Sequence, residues 1–505
     1  MKLLLATIES DCRRTDMAIK SLYCVVADSP MKVKTKIFGR NDLYMDIFEE
    51  IAEGRYNIVY FHANQYNEYQ LKRVAELVKK AVPSTAIVFG GMQVSFETRA
   101  FMKENLFVDY VIRGEGERVL FNFIKSILSY EFDYENIAGL AYREGDQVVV
   151  NPYDAPIDAE ALPFPYDRFE ADKDVVCYET IRGTSDRTVY SQYLPDARVR
   201  ALSLGRVCTE LRYFLASEVG RVVFLDRFFN YNSERAYRIF EYIINNDNGI
   251  TSFEFNINGD ELDEETLRLL SEARDGQIIF NLDVASTNAE VLGAIGRGEN
   301  VYRLMYNTTR LLQSGNVRAE ITLMAGLPLE TEPMFARSFN KAFGMAAGMP
   351  VHIRTVCVSK GSALRELADR FGYIYAADAP YEVICTGHMS SDELLRIRGI
   401  ARTVEAYVGD GGFAVSMPRI LNDTGIKPYE LFRGLTKYTV KHDLTGKMRK
   451  KENLARILYA YAAGLYDELA DPVKLDILRD VIYSDLSAAV SEESIKKFDK
   501  KGWEL

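Results

Sequence analysis

The chain has 505 residues, of which 48% are hydrophobic and 27% charged, so it is long enough for several globular domains. Its formal net charge of −11 argues against a nucleic-acid partner, because phosphate neutralisation needs a basic surface. The N-terminal apolar run is too short for a secretory signal, and no apolar stretch reaches the length of a membrane span. We therefore expect a cytoplasmic protein with no nucleic-acid or membrane partner.

The six cysteines and four histidines are scattered along the chain. No two cysteines have the spacing of a CxxC site, and the histidines form no HExxH or HxE pattern. This distribution is typical of reduced, mostly buried thiols. The sequence therefore predicts no metal site and gives almost no support to zinc hydrolase or deaminase chemistry.

The first 150 residues alternate between strands and helices. We predict strands at Lys2–Ala6, Val33–Phe38, Tyr56–Phe61, Ala86–Phe89 and Tyr110–Ile112. The clearest helix is Glu68–Ala81, whose apolar side chains fall on one face. Short apolar strands separated by helices indicate a doubly wound, Rossmann-like parallel sheet with its ligand site at the carboxyl ends of the strands.

Glycines follow two of these strands. Gly90 and Gly91 end the fourth strand, and Gly114-Glu-Gly-Glu117 ends the fifth. Glycine at such a position either lets the backbone approach a bulky ligand or closes a βα turn, and both interpretations stay open. No GxGxxG motif follows the first strand, which counts against a nicotinamide cofactor.

A proline-rich stretch separates this region from the next. Four prolines between residues 151 and 166 block helix and central strand alike. We therefore predict domains at residues 1–150, 173–390 and 391–505, with a linker at 151–172. The second domain is predicted to contain the strands Val175–Thr180, Val222–Asp226, Phe253–Asn258, Ile278–Val284, Ala319–Ala325 and Val351–Val358. Six βα units form a partial, TIM-like (β/α)6 barrel, whose active site lies at the carboxyl ends of the strands.

Polar side chains stand at the ends of the barrel strands. They are Asp226, Asn258, Asn281, Asp283 and Thr322. Such residues either bind a ligand or satisfy backbone groups.

The last hundred residues are predicted to be helical. Apolar side chains recur at helical spacing in Asn453–Leu469, which indicates a face packed in a core. The basic run from Lys447 to Lys451 is interpreted as a solvated face, with an acidic partner as the less favoured alternative.

The segment from Tyr178 to Ser191 ends a strand and opens a loop. It resembles the RGCxxxCxxC loop of radical S-adenosylmethionine (SAM) enzymes, in which three cysteines hold a [4Fe–4S] cluster. Here the corresponding positions are Thr184, Thr188 and Ser191. Hydroxyls are poor ligands for cluster iron, which soft thiolates bind. We therefore expect the fold of these enzymes with no [4Fe–4S] cluster.

Further stretches extend the resemblance over most of the chain. They are Phe89–Ser95, Val108–Glu117, Leu162–Asp167, Phe224–Asn230, Asp247–Thr251, Ser286–Asn288, Ala325–Pro328 and Tyr381–Val383. In this order they resemble cobalamin-binding radical SAM proteins with a helical C-terminal domain of unknown function. The resemblance implies a cobalamin across the strand ends of the first domain, with its corrin face toward the barrel mouth, where SAM and substrate would lie.

The resemblance also implies which residues form the site. The candidate cobalamin-binding residues are Arg14, Thr15, Asn64, Gly90, Gly91, Gln93, Val94, Ser95, Gly114, Glu115 and Gly116. The candidate SAM or substrate pocket consists of Asp226, Asn256, Asn258, Asn281, Asp283 and Thr322. No catalytic residue is assigned.

Several positions depart from the family pattern. Arg14 stands where related sequences often carry a histidine, so a bound cobalamin would have no histidine below the metal. Asn256 and Asn281 stand where relatives tend to carry glutamate, Ala285 replaces glutamine and Thr322 replaces aspartate. Together with the cluster loop, these changes indicate relaxed selection on radical chemistry.

Two functions follow from the resemblance. The first is a cobalamin-dependent, non-radical methyl or group transferase that uses SAM, acts on a small molecule or peptide and depends on a separate reductase. The second is a catalytically inactive pseudoenzyme that binds cobalamin or a companion radical SAM enzyme. Pocket chemistry unrelated to SAM is a third alternative, because a fold does not fix a function.

Overall fold

The structure is a computed structural model. The structure describes residues 1–9, 14–185, 187–298, 300–346, 348–409, 412–468 and 471–503. In this part of the chain the predicted architecture is confirmed: a doubly wound α/β domain is followed by a six-stranded parallel α/β sheet and by a helical region.

The first sheet contains seven strands in the order β2-β1-β3-β4-β5-β6-β7. Their bounds are β1 (Lys2–Ile8), β2 (Lys32–Phe38), β3 (Ile58–His62), β4 (Ala86–Gly90), β5 (Tyr110–Ile112), β6 (Leu140–Glu144) and β7 (Gln147–Val150). Strands β1 to β5 are parallel, whereas β6 and β7 add an antiparallel hairpin that the sequence analysis did not predict. The order of the parallel strands puts the ligand crevice of such folds beside β1 and β3.

Helices cover both faces of this sheet. They are α1 (Arg14–Val26), α2 (Tyr44–Gly54), α3 (Glu68–Ala81), α4 (Met92–Ser95), α5 (Thr98–Glu104) and α6 (Gly116–Ser129). Successive residues of β1 point to opposite faces, so Leu4 enters one apolar core and Leu5 the other. Burial on both faces explains why these strands are continuous apolar runs.

Ten further strands follow in the chain. They are β8 (Val175–Tyr178), β9 (Ile181–Arg182), β10 (Arg200–Ala201), β11 (Arg221–Phe224), β12 (Ser252–Ile257), β13 (Ile278–Ala285), β14 (Arg318–Ala325), β15 (Val351–Thr355), β16 (Ile374–Tyr375) and β17 (Val383–Cys385). Six of them form one parallel sheet in the order β15-β14-β13-β12-β11-β8, the arrangement of a partial barrel. Strands β9 and β10 form a short antiparallel pair in the predicted cluster loop region.

The helices of the second and third regions follow the same chain order. They are α7 (Leu204–Ala216), α8 (Ser233–Asn245), α9 (Glu264–Leu270), α10 (Ala289–Ala294), α11 (Val301–Gln313), α12 (Glu332–Ala346), α13 (Ala363–Glu366), α14 (Ser391–Val404), α15 (Ser416–Thr424), α16 (Pro428–Lys441), α17 (Lys451–Glu468), α18 (Pro472–Ala489) and α19 (Glu492–Lys501). A single π-helical turn, Glu405–Gly409, follows α14.

Aromatic rings fill the core of the second region. The ring of Phe255 lies 4.4 Å from that of Phe224 and 4.5 Å from that of Phe229. Such contacts between buried rings add to the burial of apolar surface. The core continues without a break into the helical region, where the ring of Phe432 packs 5.8 Å from that of Phe339. The helical region is therefore anchored on the barrel.

The apolar stripe predicted in the helical region forms the buried face of α17. Leu454, Ile457 and Leu458 are all buried there, as the helical spacing predicts, whereas Leu469 lies outside the described residues. In the described ranges, no helix has both the length and the apolar character needed to cross a membrane.

Candidate functional site

The strand ends of the first domain and the second domain enclose a cavity of about 210 Å³. Four of the residues predicted to bind cobalamin line it: Gly91, Gly114, Glu115 and Gly116. The second domain contributes Arg182 and Glu179, among others. The glycine-containing turns after β4 and β5 are therefore part of a shared crevice.

Close packing explains the glycines after β4. A Cβ atom on Gly90 would lie 2.1 Å from the hydroxyl of Tyr60, and one on Gly91 would lie 2.4 Å from the carbonyl oxygen of Ala63. Gly91 also has φ of +99°, which disfavours any side chain. These two glycines are required by the protein's own backbone and side chains, so the turn-closing interpretation accounts for them. Gly114 has φ of +76°, and a Cβ atom on it would lie 3.4 Å from Cδ1 of Tyr153, an ordinary contact distance.

Among the candidates whose side chains the structure describes, the others do not line this cavity. Val94 belongs to the apolar core of the first sheet. Ser95 accepts a hydrogen bond from Gly114 N at 2.9 Å, and Asn64 accepts one from Tyr66 N at 2.8 Å in the turn before α3. The side chains of Arg14 and Thr15 lie outside the described residues.

Gln93 joins the first domain to the end of the barrel. Its amide nitrogen donates to Glu68 at 2.6 Å and to the hydroxyl of Tyr381 at 2.8 Å. The amide oxygen of Gln93 is buried and has no hydrogen-bond partner in the part of the chain that the structure describes. An unpartnered buried amide oxygen is costly, and a ligand that donates a hydrogen bond would satisfy it.

Two ion pairs bridge the crevice. Arg200 donates to Glu115 at 2.5 Å, and Arg182 donates to Glu117 at 2.5 Å. Burial by itself raises the pKa of Glu117, but the charge of Arg182 and the hydroxyl of Ser21 outweigh it and lower the pKa to about 2. Glu117 is therefore ionised at neutral pH and fixes the second domain to the start of α6.

His62 is a residue that the sequence analysis missed. It ends β3 and lines the same cavity, with Nδ1 3.4 Å from the hydroxyl of Tyr60. Burial lowers the pKa of His62 to about 4, so the imidazole is neutral at physiological pH. The sequence expectation that a bound cobalamin would have no histidine below the metal considered only the loop after β1. The sequence signal that could have identified His62 is a histidine at the end of an apolar strand.

A second cavity, of about 430 Å³, lies at the mouth of the barrel. Three residues of the predicted SAM or substrate pocket line it, namely Asn256, Asn281 and Asp283. Gln65 and Met92, which were not predicted, reach it from the first domain. This cavity, the barrel-mouth pocket, is therefore built by both α/β domains.

The amides of the barrel-mouth pocket are held in a hydrogen-bonded row. Asn256 Nδ2 donates to the carbonyl oxygen of Asp226 at 3.0 Å, and Asn281 Nδ2 donates to Glu254 at 2.9 Å. Adjacent parallel strands bring Asn256 and Asn281 into register. The pairing fixes both side chains at the carboxyl ends of β12 and β13.

The hydroxyls of the predicted cluster loop are buried and bonded. Thr188 Oγ1 lies 2.6 Å from Ser191 Oγ and 3.4 Å from the hydroxyl of Tyr193. Arg227 donates a hydrogen bond to Ser191 Oγ, and its guanidinium carbon lies 5.0 Å from the centre of the Tyr193 ring. The backbone N–H of Thr184 donates to Ala197 at 2.9 Å.

Of the predicted cluster positions, only Ser191 lines the barrel-mouth pocket. Hydroxyl oxygens are hard donors, whereas cluster iron is bound by soft thiolates, and the hydroxyls of Thr188 and Ser191 are bonded to each other. These side chains do not fit a [4Fe–4S] cluster. Within the described residues, no group of three or more His, Cys, Asp or Glu side chains is arranged to hold a metal ion.

The remaining pocket candidates lie elsewhere. Asp226 is fully buried and accepts hydrogen bonds from Thr180 N at 2.7 Å, from Ile181 N at 2.8 Å and from the hydroxyl of Thr180. The side-chain amide of Asn230 donates to the carbonyl oxygen of Asn258 at 2.8 Å and accepts from the Asn258 N–H at 2.9 Å. Thr322 lies within β14 and does not line the barrel-mouth pocket. Asp226 thus positions the start of the cluster loop.

The crevice fits cobalamin in its chemistry. The small residues and backbone groups that line it suit the amide-rich edge of a corrinoid. A corrinoid with its nucleotide tail is larger than the 210 Å³ cavity, so the residues around the cavity must separate to admit it.

Comparison with protein families divides the chain in the same way. Residues 1–123 match the B12 binding domain, residues 190–342 match the radical SAM superfamily and residues 369–504 match a protein family of unknown function, DUF4080. The radical SAM match begins after Thr184 and Thr188, so it does not cover the first two predicted cluster positions.

Curated relatives share parts of the chain. The uncharacterized methyltransferase PH0819 of Pyrococcus horikoshii is 28% identical over 50% of this chain and 57% of its own length. The anaerobic magnesium-protoporphyrin IX monomethyl ester cyclase of Rubrivivax gelatinosus is 31% identical over 23% of this chain and 22% of its own length. The cobalamin-dependent radical SAM methyltransferase TokK of Streptomyces tokunonensis is 29% identical over 21% of this chain and 16% of its own length. The chain therefore spans less than two thirds of these relatives.

Solved structures share the fold over a greater length. The cobalamin-dependent S-adenosylmethionine radical enzyme OxsB, with aqua-cobalamin and SAM bound, aligns with a TM-score of 0.61 and 13% identity over 96% of this chain and 84% of its own. The radical SAM methyltransferase TsrM from Kitasatospora setae, with cobalamin and a [4Fe–4S] cluster bound, aligns with a TM-score of 0.58 and 17% identity over 74% of this chain and 76% of its own. In succession, the chain therefore matches a B12 binding domain, the radical SAM superfamily and DUF4080, and it shares the overall fold of these solved cobalamin-dependent enzymes.

Proposed function

We propose that this protein is a cobalamin-dependent methyl or group transferase that uses SAM and works without a [4Fe–4S] cluster. The observation that carries the proposal is the barrel-mouth pocket, because Gln65 and Met92 of the first domain and Asn281 and Asp283 of the barrel line the same cavity. A cofactor in the first domain and a ligand in the barrel would meet there. The substrate is proposed to be a small molecule or a peptide.

The residues of this chain would bind and orient the two ligands. The glycine turns at Gly114 and Gly116 would hold the cobalamin edge. The amides of Asn256 and Asn281 would orient a ligand in the barrel-mouth pocket. When bound and reduced, cobalamin supplies a nucleophile that takes up and passes on a methyl group, which needs no cluster beside it. Its reduction is assigned to a separate protein.

The donor set of the cluster loop supports the cluster-free mechanism. Thr184, Thr188 and Ser191 carry no thiolate, and the hydroxyls of the last two are bonded to each other. The names of PH0819 and TokK, both methyltransferases, support the reaction class. The chain covers 57% of PH0819 and 16% of TokK, less than two thirds of either, so methyltransferase activity is proposed for it.

The second candidate function is a pseudoenzyme that binds cobalamin or a companion radical SAM enzyme. The observation in its favour is the narrow crevice, which two ion pairs bridge, Glu115 with Arg200 and Glu117 with Arg182. A crevice held closed suits a protein that has lost turnover. Cobalamin-binding and methyl-transfer assays on one purified protein distinguish the two functions.

The test is anaerobic incubation of the full chain with hydroxocobalamin, removal of the excess, and measurement of the visible spectrum and of bound iron and sulfide. We expect bound cobalamin without iron. Methyl transfer from SAM to cobalamin under a chemical reductant supports the transferase, whereas bound cobalamin without any transfer supports the pseudoenzyme. Iron and sulfide retained in cluster stoichiometry would overturn the cluster-free mechanism. Absence of cobalamin would overturn the transferase and the cobalamin-binding pseudoenzyme, and leave only a pseudoenzyme that binds a companion radical SAM enzyme.

A further inference from the structure

Arg227 brings a positive charge to the loop in which the family pattern has cluster cysteines. It follows Asp226 directly after β11 and lines the barrel-mouth pocket. Its guanidinium donates to Ser191 Oγ and lies over the ring of Tyr193, and no carboxylate pairs with it among the described residues. A guanidinium has five donors in a rigid fork, of which the Ser191 hydroxyl uses one. Arg227 therefore keeps donors for an anionic group in the pocket.

Asp283 brings a negative charge to the same pocket. Its Oδ2 lies 3.6 Å from Arg297, whereas its Oδ1 is buried with no hydrogen-bond partner in the described ranges. The side chain as a whole lines the pocket and is 43% exposed, so the carboxylate reaches the cavity through Oδ2, not through the buried Oδ1. A carboxylate that lines a cavity and whose ion pair measures 3.6 Å, longer than a hydrogen bond, suits a ligand that donates a hydrogen bond and carries positive charge.

We infer that Arg227 and Asp283 bind the zwitterionic head group of an α-amino acid. The guanidinium of Arg227 takes the α-carboxylate, and the carboxylate of Asp283 takes the α-ammonium. A neutral ligand leaves Arg227 without a charged partner, and a simple anion leaves Asp283 with its 3.6 Å contact to Arg297 as its one ion pair among the described residues. The head group is the one that the methionyl part of SAM carries, so this inference rests on the proposed use of SAM.

In this arrangement the loop that carries Thr184, Thr188 and Ser191 has a function of its own, although it lacks the cysteines of the family pattern. Thr188 and Ser191 bond to each other, and Ser191 accepts from Arg227, so the loop positions the guanidinium. In an enzyme with a cluster, thiolates at these positions would hold iron. Here an organic cation stands at the same place and binds the carboxylate by a bidentate hydrogen bond. No redox step is involved.

Calorimetry with two matched ligands tests the inference. S-adenosylhomocysteine carries the amino-acid head group, whereas 5′-methylthioadenosine has the same nucleoside thioether without it. We expect wild-type protein to bind S-adenosylhomocysteine at least tenfold more tightly, because charge-assisted hydrogen bonds contribute at least that factor. Equal affinities, or no binding of S-adenosylhomocysteine at millimolar concentration, overturn the inference.

Variants identify the residues. Arg227→Gln should weaken binding of S-adenosylhomocysteine by about tenfold to a hundredfold, and Asp283→Asn by about tenfold, while 5′-methylthioadenosine binds as before. Arg227→Lys should recover only part of the affinity, because an ammonium cannot form the bidentate contact. Unchanged binding of S-adenosylhomocysteine by a folded Arg227→Gln protein overturns the inference. The comparison of the two ligands on wild-type protein decides the matter if that variant does not fold.

Cobalamin retention separates this inference from the proposed function. Head-group binding that depends on Arg227 in a protein without cobalamin upholds the inference and overturns the transferase. Retained cobalamin with no preference for the amino-acid ligand overturns the inference and leaves the proposed cobalamin-dependent function standing.

Discussion

Glu117 and Arg182 form an ion pair of 2.5 Å that joins the first domain to the cluster loop region of the barrel, with side chains only 7% and 13% exposed. Arg182 also pairs with Glu179 at 2.9 Å. Removing one member of a buried pair leaves the other charge without compensation. The pair is therefore a sensitive link between the two α/β domains.

Loss of this link should destabilise the protein. We expect Arg182→Gln to lower the free energy of unfolding by about 3–5 kcal/mol, because Glu117 stays buried without its cation. The double variant Glu117→Gln/Arg182→Gln is the control, since two neutral amides can bond to each other, and it should be clearly more stable than Arg182→Gln. Chemical denaturation followed by circular dichroism measures both, and equal stability of the two variants contradicts the prediction.

The same pair should make stability depend on acid pH. Because the pKa of Glu117 is lowered from 4.5 to about 2, its contribution is fully present above pH 4.5 and is lost as the pH falls toward 2. The Glu117→Gln protein lacks this contribution. Denaturation midpoints measured across that range should therefore fall less steeply with acid in the variant than in the wild type.

His352 should give the opposite pH dependence at the junction of barrel and helical region. Its Nε2 lies 3.4 Å from Glu320 and its Nδ1 lies 2.8 Å from Glu405, and these carboxylates raise the pKa of His352 to about 9. A raised histidine pKa stabilises the fold below pH 6.5 and ceases to do so as the pH rises through 9.

The size of the His352 effect is limited by solvent. Glu320 and Glu405 are 45% and 58% exposed, so we expect His352→Gln to cost only about 1 kcal/mol below pH 6.5. Above pH 9 the variant and the wild type should have the same denaturation midpoint. A constant difference across the whole range would contradict this assignment.

Asp226 should prove to be a positioning residue for the cluster loop. Asp226→Ala removes the acceptor of two backbone N–H groups and one hydroxyl, and we expect it to cost about 3 kcal/mol or more. Asp226→Asn is the matched control, because its amide oxygen still accepts from the backbone and the hydroxyl of Thr180 can turn to accept from the amide. Thermal unfolding should place Asp226→Asn between Asp226→Ala and the wild type.

The hydroxyl positions can be tested by restoring cysteine. We expect the variant Thr184→Cys/Thr188→Cys/Ser191→Cys to take up iron and sulfide during anaerobic reconstitution, because thiolates bind cluster iron where hydroxyls do not. The wild type treated in parallel should take up neither in cluster stoichiometry. A Cys177→Ser/Cys208→Ser variant controls for iron held by the native thiols nearest to the loop in sequence. Equal iron in the wild type and the triple variant would contradict the argument.

Periodicity predicted the fold well because both sheets bury their strands. The strands after Val175 are short apolar runs separated by amphipathic helices, and that pattern allows few alternatives to a parallel α/β sheet. The hairpin of β6 and β7 was missed, since its residues precede the proline-rich linker and only pairing with β5 reveals their strand character.

The candidate site was only partly predictable. Asn281 and Asp283 follow from their positions at the end of a barrel strand, and the structure brings both to the barrel-mouth pocket. The sequence analysis did not predict Arg227 as a site residue. It lies beside Asp226, which drew attention as the polar residue at that strand end, and its hydrogen-bond partner Ser191 is distant in sequence.

The sequence by itself determined the order of strands and helices, the three regions and the presence of hydroxyls where the family pattern has cysteines, because these depend on local residue type and spacing. Only the tertiary structure decided which polar residues meet. It turned Asp226 inward to the backbone and Arg227 outward to the pocket, although the two are adjacent in the chain. The reason is geometric: both residues lie in the loop after β11, where the contacts of each side chain are set by segments far away in the sequence.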